Sequence, residues 1–286
     1  MKSAFSRGAR RRRLGGLVAC AWAATALGAP VAHGGSTIPL GSAHGLSYFQ
    51  ADQPGVTTPA GPTANCGEGK FVTGGGGSIS GPADAARLTA TRPADALLSG
   101  WTAEGAQLAG GAKTVSAFAI CAATAGNYVQ DSTAFGAGAS GDDASCGTAQ
   151  VSGGGVSSEE ANFLYYQLLP DMPTSWRADA LHTSNDSETM TVYAVCSSVL
   201  DLRYRRSDRV RVPSGSEGTA RVRCGRRQAV TGGGFETRSD FGPWPLASRP
   251  FDGSDGNAVP DDGWTARIYN DSQADVRLFA HAICKA

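Results

Sequence analysis

The sequence predicts an all-β protein, a pseudo-threefold β-prism of three four-stranded, disulfide-stapled repeats. Three observations carry this. Glycine is abundant, at 39 of 286 residues, and glycine is costly inside helices. Three segments share one pattern of Cys-Gly, then V-[TS]-G-G-G, then Trp, then Ala-[IV]-Cys. The segment before each final cysteine alternates in period two, as Val192, Ala194 and Cys196 do with Tyr193 and Val195, which is strand patterning.

The repeats span 66–121, 146–196 and 224–284. They open at Cys66, Cys146 and Cys224, and close at Cys121, Cys196 and Cys284. Trp101, Trp176 and Trp264 each lie 20 residues before the closing cysteine. A fixed distance repeated three times marks one duplicated unit, so the simplest disulfide pairing is within each repeat. Loops of this length are worth about 4 kcal/mol each in the chain-entropy model. The other readings of the cysteines are free thiols or a metal site. No CxxC pair occurs and histidines number only four, so no metal is expected.

Each unit reads as four short strands. The first is FVTGG, QVSGG or AVTGG, and the second ARLTAT, FLYYQLL or the region near Trp244. The third starts at the repeat tryptophan and the fourth ends at the closing cysteine. AGGA, SNDSE and NDSQ between strands three and four have hairpin-turn chemistry. One sheet per unit around a shared core is the expected result. The triple glycines lack the Lys-Ser/Thr of a phosphate loop and read as bulges or close backbone approaches. The tryptophans read as core residues, the alternative being three exposed sugar-stacking platforms. A β-trefoil is built from shorter units, and a propeller from four or more blades.

The motif resembles repeats in secreted actinobacterial proteins. The layout of residues 66–286 also resembles the vitelline membrane outer layer protein, a threefold β-prism of Greek-key units. That similarity is architectural and transfers no residue-level motif. A further resemblance is to the adaptor subunit of streptomycete umbrella toxin particles, which joins a lectin subunit to a large toxin subunit. It rests on an exported, disulfide-rich β domain with an extended N-terminal segment, and implies an adaptor role.

Residues 1–34 read as a signal peptide. The leader has a basic start through Arg13, a short apolar stretch Leu14–Ala29, then small residues. Sixteen apolar residues followed by Pro30 fall short of a membrane span, so no membrane is expected in the mature form. Leu17-Val18-Ala19-Cys20 resembles a lipobox, although only six apolar residues precede Cys20. The leader also hides a charge imbalance. The chain has 25 basic and 25 acidic residues, but six of the basic ones precede Ser36 and none of the acidic ones do. The mature chain is therefore mildly acidic, which argues against a globally basic nucleic-acid binder.

Residues 35–65 read as an extended N-terminal tail, rich in Gly, Pro, Ser, Thr and Ala. Ile38, Leu40, Leu46, Tyr48 and Phe49 interrupt it with apolar patches. Such patches either dock a partner or fold back onto their own domain. A second candidate surface is cationic, with nine arginines between residues 203 and 227. Arg203, Arg205, Arg209, Arg211, Arg221 and Arg223 are its expected partner-binding members. Arg221 and Arg223 flank Val222 and would share one strand face. The choice lies between an anionic-surface site and a solvated face neutralised by Asp201, Asp208 and Glu217. Only Tyr204 interleaves with these arginines, so nucleic acid is not expected.

No catalytic residue is expected. There is no G-x-S-x-G elbow, and the adjacent carboxylates Glu159–Glu160 and Asp261–Asp262 would point to opposite faces of a strand. The stretch Asp252–Asp262 offers oxygen ligands but lacks EF-hand spacing and a closing Glu, so it reads as a polar loop, the alternative being a calcium site. The expected function is that of a non-enzymatic secreted adaptor without a cofactor. It would bind a secreted protein, with a cell-wall polymer or glycan as the lectin-type alternative, through aromatic residues such as Tyr165 or Tyr166. A hydrolase with dispersed catalytic residues is the remaining reading.

Overall fold

A computed structural model describes residues 36–160, 162–238, 243–253 and 255–286. The expected signal peptide at 1–34, with Cys20, lies outside the described residues. The first stretch contains β1 (Ile38–Ala43), β2 (Leu46–Val56), β3 (Thr63–Asn65), β4 (Phe71–Ile79), β5 (Ala86–Pro93), β6 (Gly100–Gln107) and β7 (Lys113–Ala122). Residues 127–197 contain β8 (Asn127–Phe135), β9 (Gly138–Ser145), β10 (Gln150–Ser158), β11 (Phe163–Met172), β12 (Ser175–His182) and β13 (Glu188–Ser197). Residues 202–285 contain β14 (Leu202–Arg206), β15 (Val210–Val212), β16 (Ser216–Arg223), β17 (Ala229–Thr237), β18 (Trp244–Phe251), β19 (Gly263–Asn270) and β20 (Val276–Lys285). The protein is all-β, with a single 3-10 turn at Ala83–Ala85 among the described residues.

The four expected strands of a repeat do not form one sheet. The first and fourth pair with each other, as β4 does with β7, β10 with β13, and β17 with β20. The second and third pair with each other in a different sheet. The first sheet runs β1-β2-β7-β4-β18-β19-β16, the second β3-β6-β5-β10-β13-β8, and the third β14-β20-β17-β11-β12-β9, with β15 also on β20. Each open sheet therefore joins the outer strands of one repeat to the inner hairpin of another. AGGA, SNDSE and NDSQ do not close hairpins. They carry the chain from one sheet to another, which polar turn residues do equally well.

The tail and the two linkers are strands of the same unit. β2, β8 and β14 each pair with the closing strand of a repeat, at β7, β13 and β20. β3, β9 and β16 each pair with the tryptophan strand, at β6, β12 and β19. The duplicated unit thus has six strands rather than four. Tyr48, Tyr128 and Tyr204 hold equivalent places opposite Ile120, Val195 and Ile283. Tyr48 Oη donates to the Val230 carbonyl at 2.9 Å and Tyr204 Oη to that of Val151 at 2.8 Å, tying one repeat to the next. Ala64, Ala144 and Val222, each two residues before an opening cysteine, face the repeat tryptophans.

Disulfides join Cys66–Cys121, Cys146–Cys196 and Cys224–Cys284, the within-repeat pairs. Three disulfides suit an oxidising compartment. No helix among the described residues is long and apolar enough to cross a membrane.

The three glycines of each triplet do different jobs. A bulge precedes the first one in every repeat. Those first glycines, Gly74, Gly153 and Gly232, come together, so that a Cβ on any one would meet backbone of another repeat. Gly75, Gly154 and Gly233 lie under the indole rings of Trp101, Trp176 and Trp264. Gly76, Gly155 and Gly234 lie against the carbonyls of Ser248, Thr91 and Leu168 on the neighbouring repeat's strand. The tryptophans are 0–1% exposed, so they are core residues and not sugar-stacking platforms. Each contributes about 4–6 kcal/mol of gross transfer free energy. They do not share one core. Trp176 and Trp264 belong to one apolar cluster and Trp101 to another.

Candidate functional site

The solvent face of the first sheet carries two cross-strand rows of polar residues. One row is Arg221, Thr265 and Arg249, on β16, β19 and β18. The next runs Thr219, Arg267, Ala247, Ser78 and Ser116, across β16, β19, β18, β4 and β7. Directly opposed residues in antiparallel strands share a face, with Cβ atoms about 5 Å apart. The rows line a concave cleft of about 420 Å³, with Phe251 in its wall.

The cleft is cationic. Arg221 is exposed, whereas Arg249 and Arg267 are half-buried. Burial, and then the charges of Arg267 and Arg221, lower the Arg249 guanidinium's hold on its proton below the ordinary value. Aromatic rings support two of the three, with Arg221 Cζ 5.6 Å from the Phe251 centroid and Arg249 Cζ 5.2 Å from that of Phe118. Compensation is slight. Arg267 Nε is 3.9 Å from Glu217 at one end, and Asp52, beyond Ser116 at the other, accepts from Gln50.

The same register positions in the other two repeats are neutralised. Arg249 and Arg267 correspond to Arg92 and Glu104 in the first repeat, which form an ion pair at 3.1 Å. In the second repeat the places are taken by Leu169 and Asp179, and Asp179 pairs with Arg177 at 2.9 Å. The third sheet also carries Glu236, which binds Arg206 at 2.9 Å and Arg238 at 3.0 Å. Only the third repeat puts two arginines where its sister repeats have a balanced arrangement.

The structure divides the expected arginine row. Arg221 enters the cleft, and Arg223 continues the same exposed face of β16. Arg203 and Arg205 lie on the third sheet, where Arg203 pairs with Asp201 at 2.9 Å and Arg205 donates to Gln228 at 3.3 Å. Arg211 is paired with Asp275, and with Arg209 it lines a separate, smaller depression that also holds Arg277. Sequence reading missed Arg249 and Arg267 because they lie outside the dense run. The third residue after each repeat tryptophan reads Glu104, Asp179 and Arg267, and that charge reversal is the signal.

The tail is not a free docking peptide. Leu46 and Tyr48 are 0–1% exposed and pack in the domain's own core. Phe49 is half-buried, with Lys70 Nζ 5.8 Å above its ring. The tail folds back because its unpaired backbone groups complete the edge of β7. Ile38, at 52% exposure, and the half-buried Leu40 lie on the edge strand β1. Tyr165 is also core, at 2% exposure, and cannot stack on a sugar.

His182 stacks on Phe163 with centroids 4.5 Å apart and lies 3.4 Å from Glu188. His281 faces Glu236 at 3.4 Å. Carboxylate oxygens of Asp252, Asp255 and Asp262 lie within 4.8 Å of one another. Two of these side chains order their own loop, where Asp262 accepts from the Gly253 amide at 2.6 Å and Asp255 from the Asn257 side chain at 2.7 Å. No protein-family model matches the chain, and no curated protein matches it.

Proposed function

We propose that this chain is a secreted, non-enzymatic binding protein that holds an anionic extracellular partner in the cleft of the first sheet. An adaptor in a larger extracellular assembly, such as a secreted toxin complex, is the concrete form of this reading. The observation that carries it is the Arg249–Arg267 pair. Two guanidinium groups stand where the sister repeats place neutralised side chains, and Arg221 adds a third charge to the same concave surface. A cationic cleft with so little compensation raises the local concentration of anions and speeds their encounter. The basic leader at 1–34 and the six paired cysteines support export.

The scaffold we infer is a pseudo-threefold prism like that of the vitelline membrane outer layer protein, with the three sheets as its faces. The cyclic exchange of strands between repeats supports it, as does the meeting of Gly74, Gly153 and Gly232. In such a body the sheet faces are rigid platforms, which suits a binder that does not change shape.

The test is retention of partners from culture supernatant by the immobilised, oxidised mature chain. The parent should retain a salt-sensitive set of components that the R221Q/R249Q/R267Q variant loses. An identical set on both would refute the cleft as the binding surface. A cell-wall polymer is the second reading, favoured by the concavity and hydroxyl lining of the cleft, and the same experiment with isolated wall material tests it.

A further inference from the structure

We propose that the cleft of the first sheet recognises a tetrahedral oxyanion, a phosphate or sulfate group, in preference to a carboxylate. The inference rests on the reading of the cleft as the binding surface and adds the chemistry of the ligand.

The argument starts from a count of donors. Arg221, Arg249 and Arg267 surround the cleft together with the hydroxyls of Ser78, Ser116, Thr219 and Thr265. A guanidinium offers a planar fork of N–H groups that matches two oxygens of a carboxylate or phosphate. One such fork satisfies a carboxylate. Three forks plus hydroxyls exceed what two oxygens of a single charge can use, but they suit a group with three or four oxygens. Part of the donor capacity is already taken. Arg267 Nη2 donates to the Ile79 carbonyl at 3.1 Å, Arg249 Nη1 to that of Pro250 at 3.3 Å, and Thr265 Oγ1 to that of Ala220 at 3.4 Å. These bonds fix the two guanidinium groups, which line the cleft. Arg267 Nε is buried without a hydrogen-bond partner and lies 3.9 Å from the Glu217 carboxylate, so a bound anion would meet the Nη groups of this guanidinium.

The first repeat shows how the site can be switched off without harm to the fold. Arg92 and Glu104 form an ion pair in the same register positions, so R267E should place a carboxylate beside Arg249 in an arrangement the scaffold already accommodates.

The experiment is calorimetric titration of the oxidised mature chain and of R267E at constant ionic strength. The ligands are inorganic phosphate, inorganic sulfate, acetate and a glycerol-phosphate polymer. The expected result is phosphate or sulfate binding to the parent at least tenfold tighter than acetate, and at least tenfold weaker binding to R267E. Thermal unfolding of R267E at or above the parent temperature would show that the variant is folded. Tighter binding of the polymer than of free phosphate would identify a polymer-borne group as the source, and equal binding would identify the free ion. Both results support the proposal. Binding of acetate as tight as phosphate, no heat with phosphate or sulfate, or an unchanged R267E would overturn it. Acetate preference would still leave an acidic protein partner, so the proposed function would survive. Phosphate binding without any retained partner would have the opposite meaning.

Discussion

Arg92 and Glu104 form a 3.1 Å ion pair across the inner hairpin of the first repeat, and their counterparts in the third repeat are Arg249 and Arg267. One duplicated scaffold has thus kept its core and reversed a charge on one face. The energetic consequence is measurable apart from any ligand. Like charges on opposed strands repel, and the effect is screened by salt. R267E should therefore raise the unfolding temperature in dilute buffer, by an amount worth about 0.5 kcal/mol for a half-exposed pair. The gain should shrink toward zero near 1 M salt. A gain independent of salt would contradict the charge argument.

The three tryptophans are equivalent in position but not in hydrogen bonding. Trp101 Nε1 donates to Thr91 at 2.8 Å and Trp264 Nε1 to Ser248 at 2.9 Å. In the second repeat Leu168 stands at the register position of Thr91 and Ser248, and the Trp176 N–H has no partner. Each tryptophan-to-phenylalanine change removes the same ring volume, but only two of them remove a bond. W101F and W264F should each cost about 1 kcal/mol more than W176F in denaturant unfolding. Equal costs would show that the bonds contribute nothing net.

The meeting of Gly74, Gly153 and Gly232 leaves no room for a methyl group, because the opposing atoms are backbone. G232A should destabilise the protein by about 3 kcal/mol or more, seen as a lower unfolding midpoint or loss of soluble oxidised protein. G136A has open space around it and an ordinary φ. It should change stability by less than about 1 kcal/mol. Similar outcomes for the two would refute the close approach.

Glu236 is held far down, to about 2, by His281 first and then by Arg238 and Arg206, against its burial. Its ordinary value is 4.5, so the folded state keeps the proton off more strongly than the unfolded one. The stabilisation is fully present above that ordinary value and is lost as pH falls through about 2. After allowance for the exposed arginines it amounts to about 1–2 kcal/mol. E236Q should flatten the stability profile between these limits, and an unchanged profile would assign the acid sensitivity elsewhere.

Much of this was legible in the sequence, for reasons tied to particular residues. The 20-residue interval from Trp101, Trp176 and Trp264 to Cys121, Cys196 and Cys284 marked the unit, the disulfide pairing and the buried aromatic of each repeat. The triple glycines marked bulges and close approaches because few other needs put three glycines in a strand. Tyr48 was visible as part of an apolar patch in a polar tail, and Tyr204 as the one aromatic among the arginines. Their role as ties to Val230 and Val151 was not, because the partner lies in another repeat.

Sequence by itself therefore determined the strand content, the threefold duplication and the covalent staples, since each is written in local pattern and fixed spacing. Tertiary structure decided which strands pair. Hydrogen bonding between strands depends on where a chain returns in space, and period-two patterning is the same for either sheet. That decision turned the tail and linkers into strands of the sheets. It also separated Arg203 and Arg205 from Arg221, and brought Arg249 and Arg267 beside Arg221 from strands that are distant in the chain.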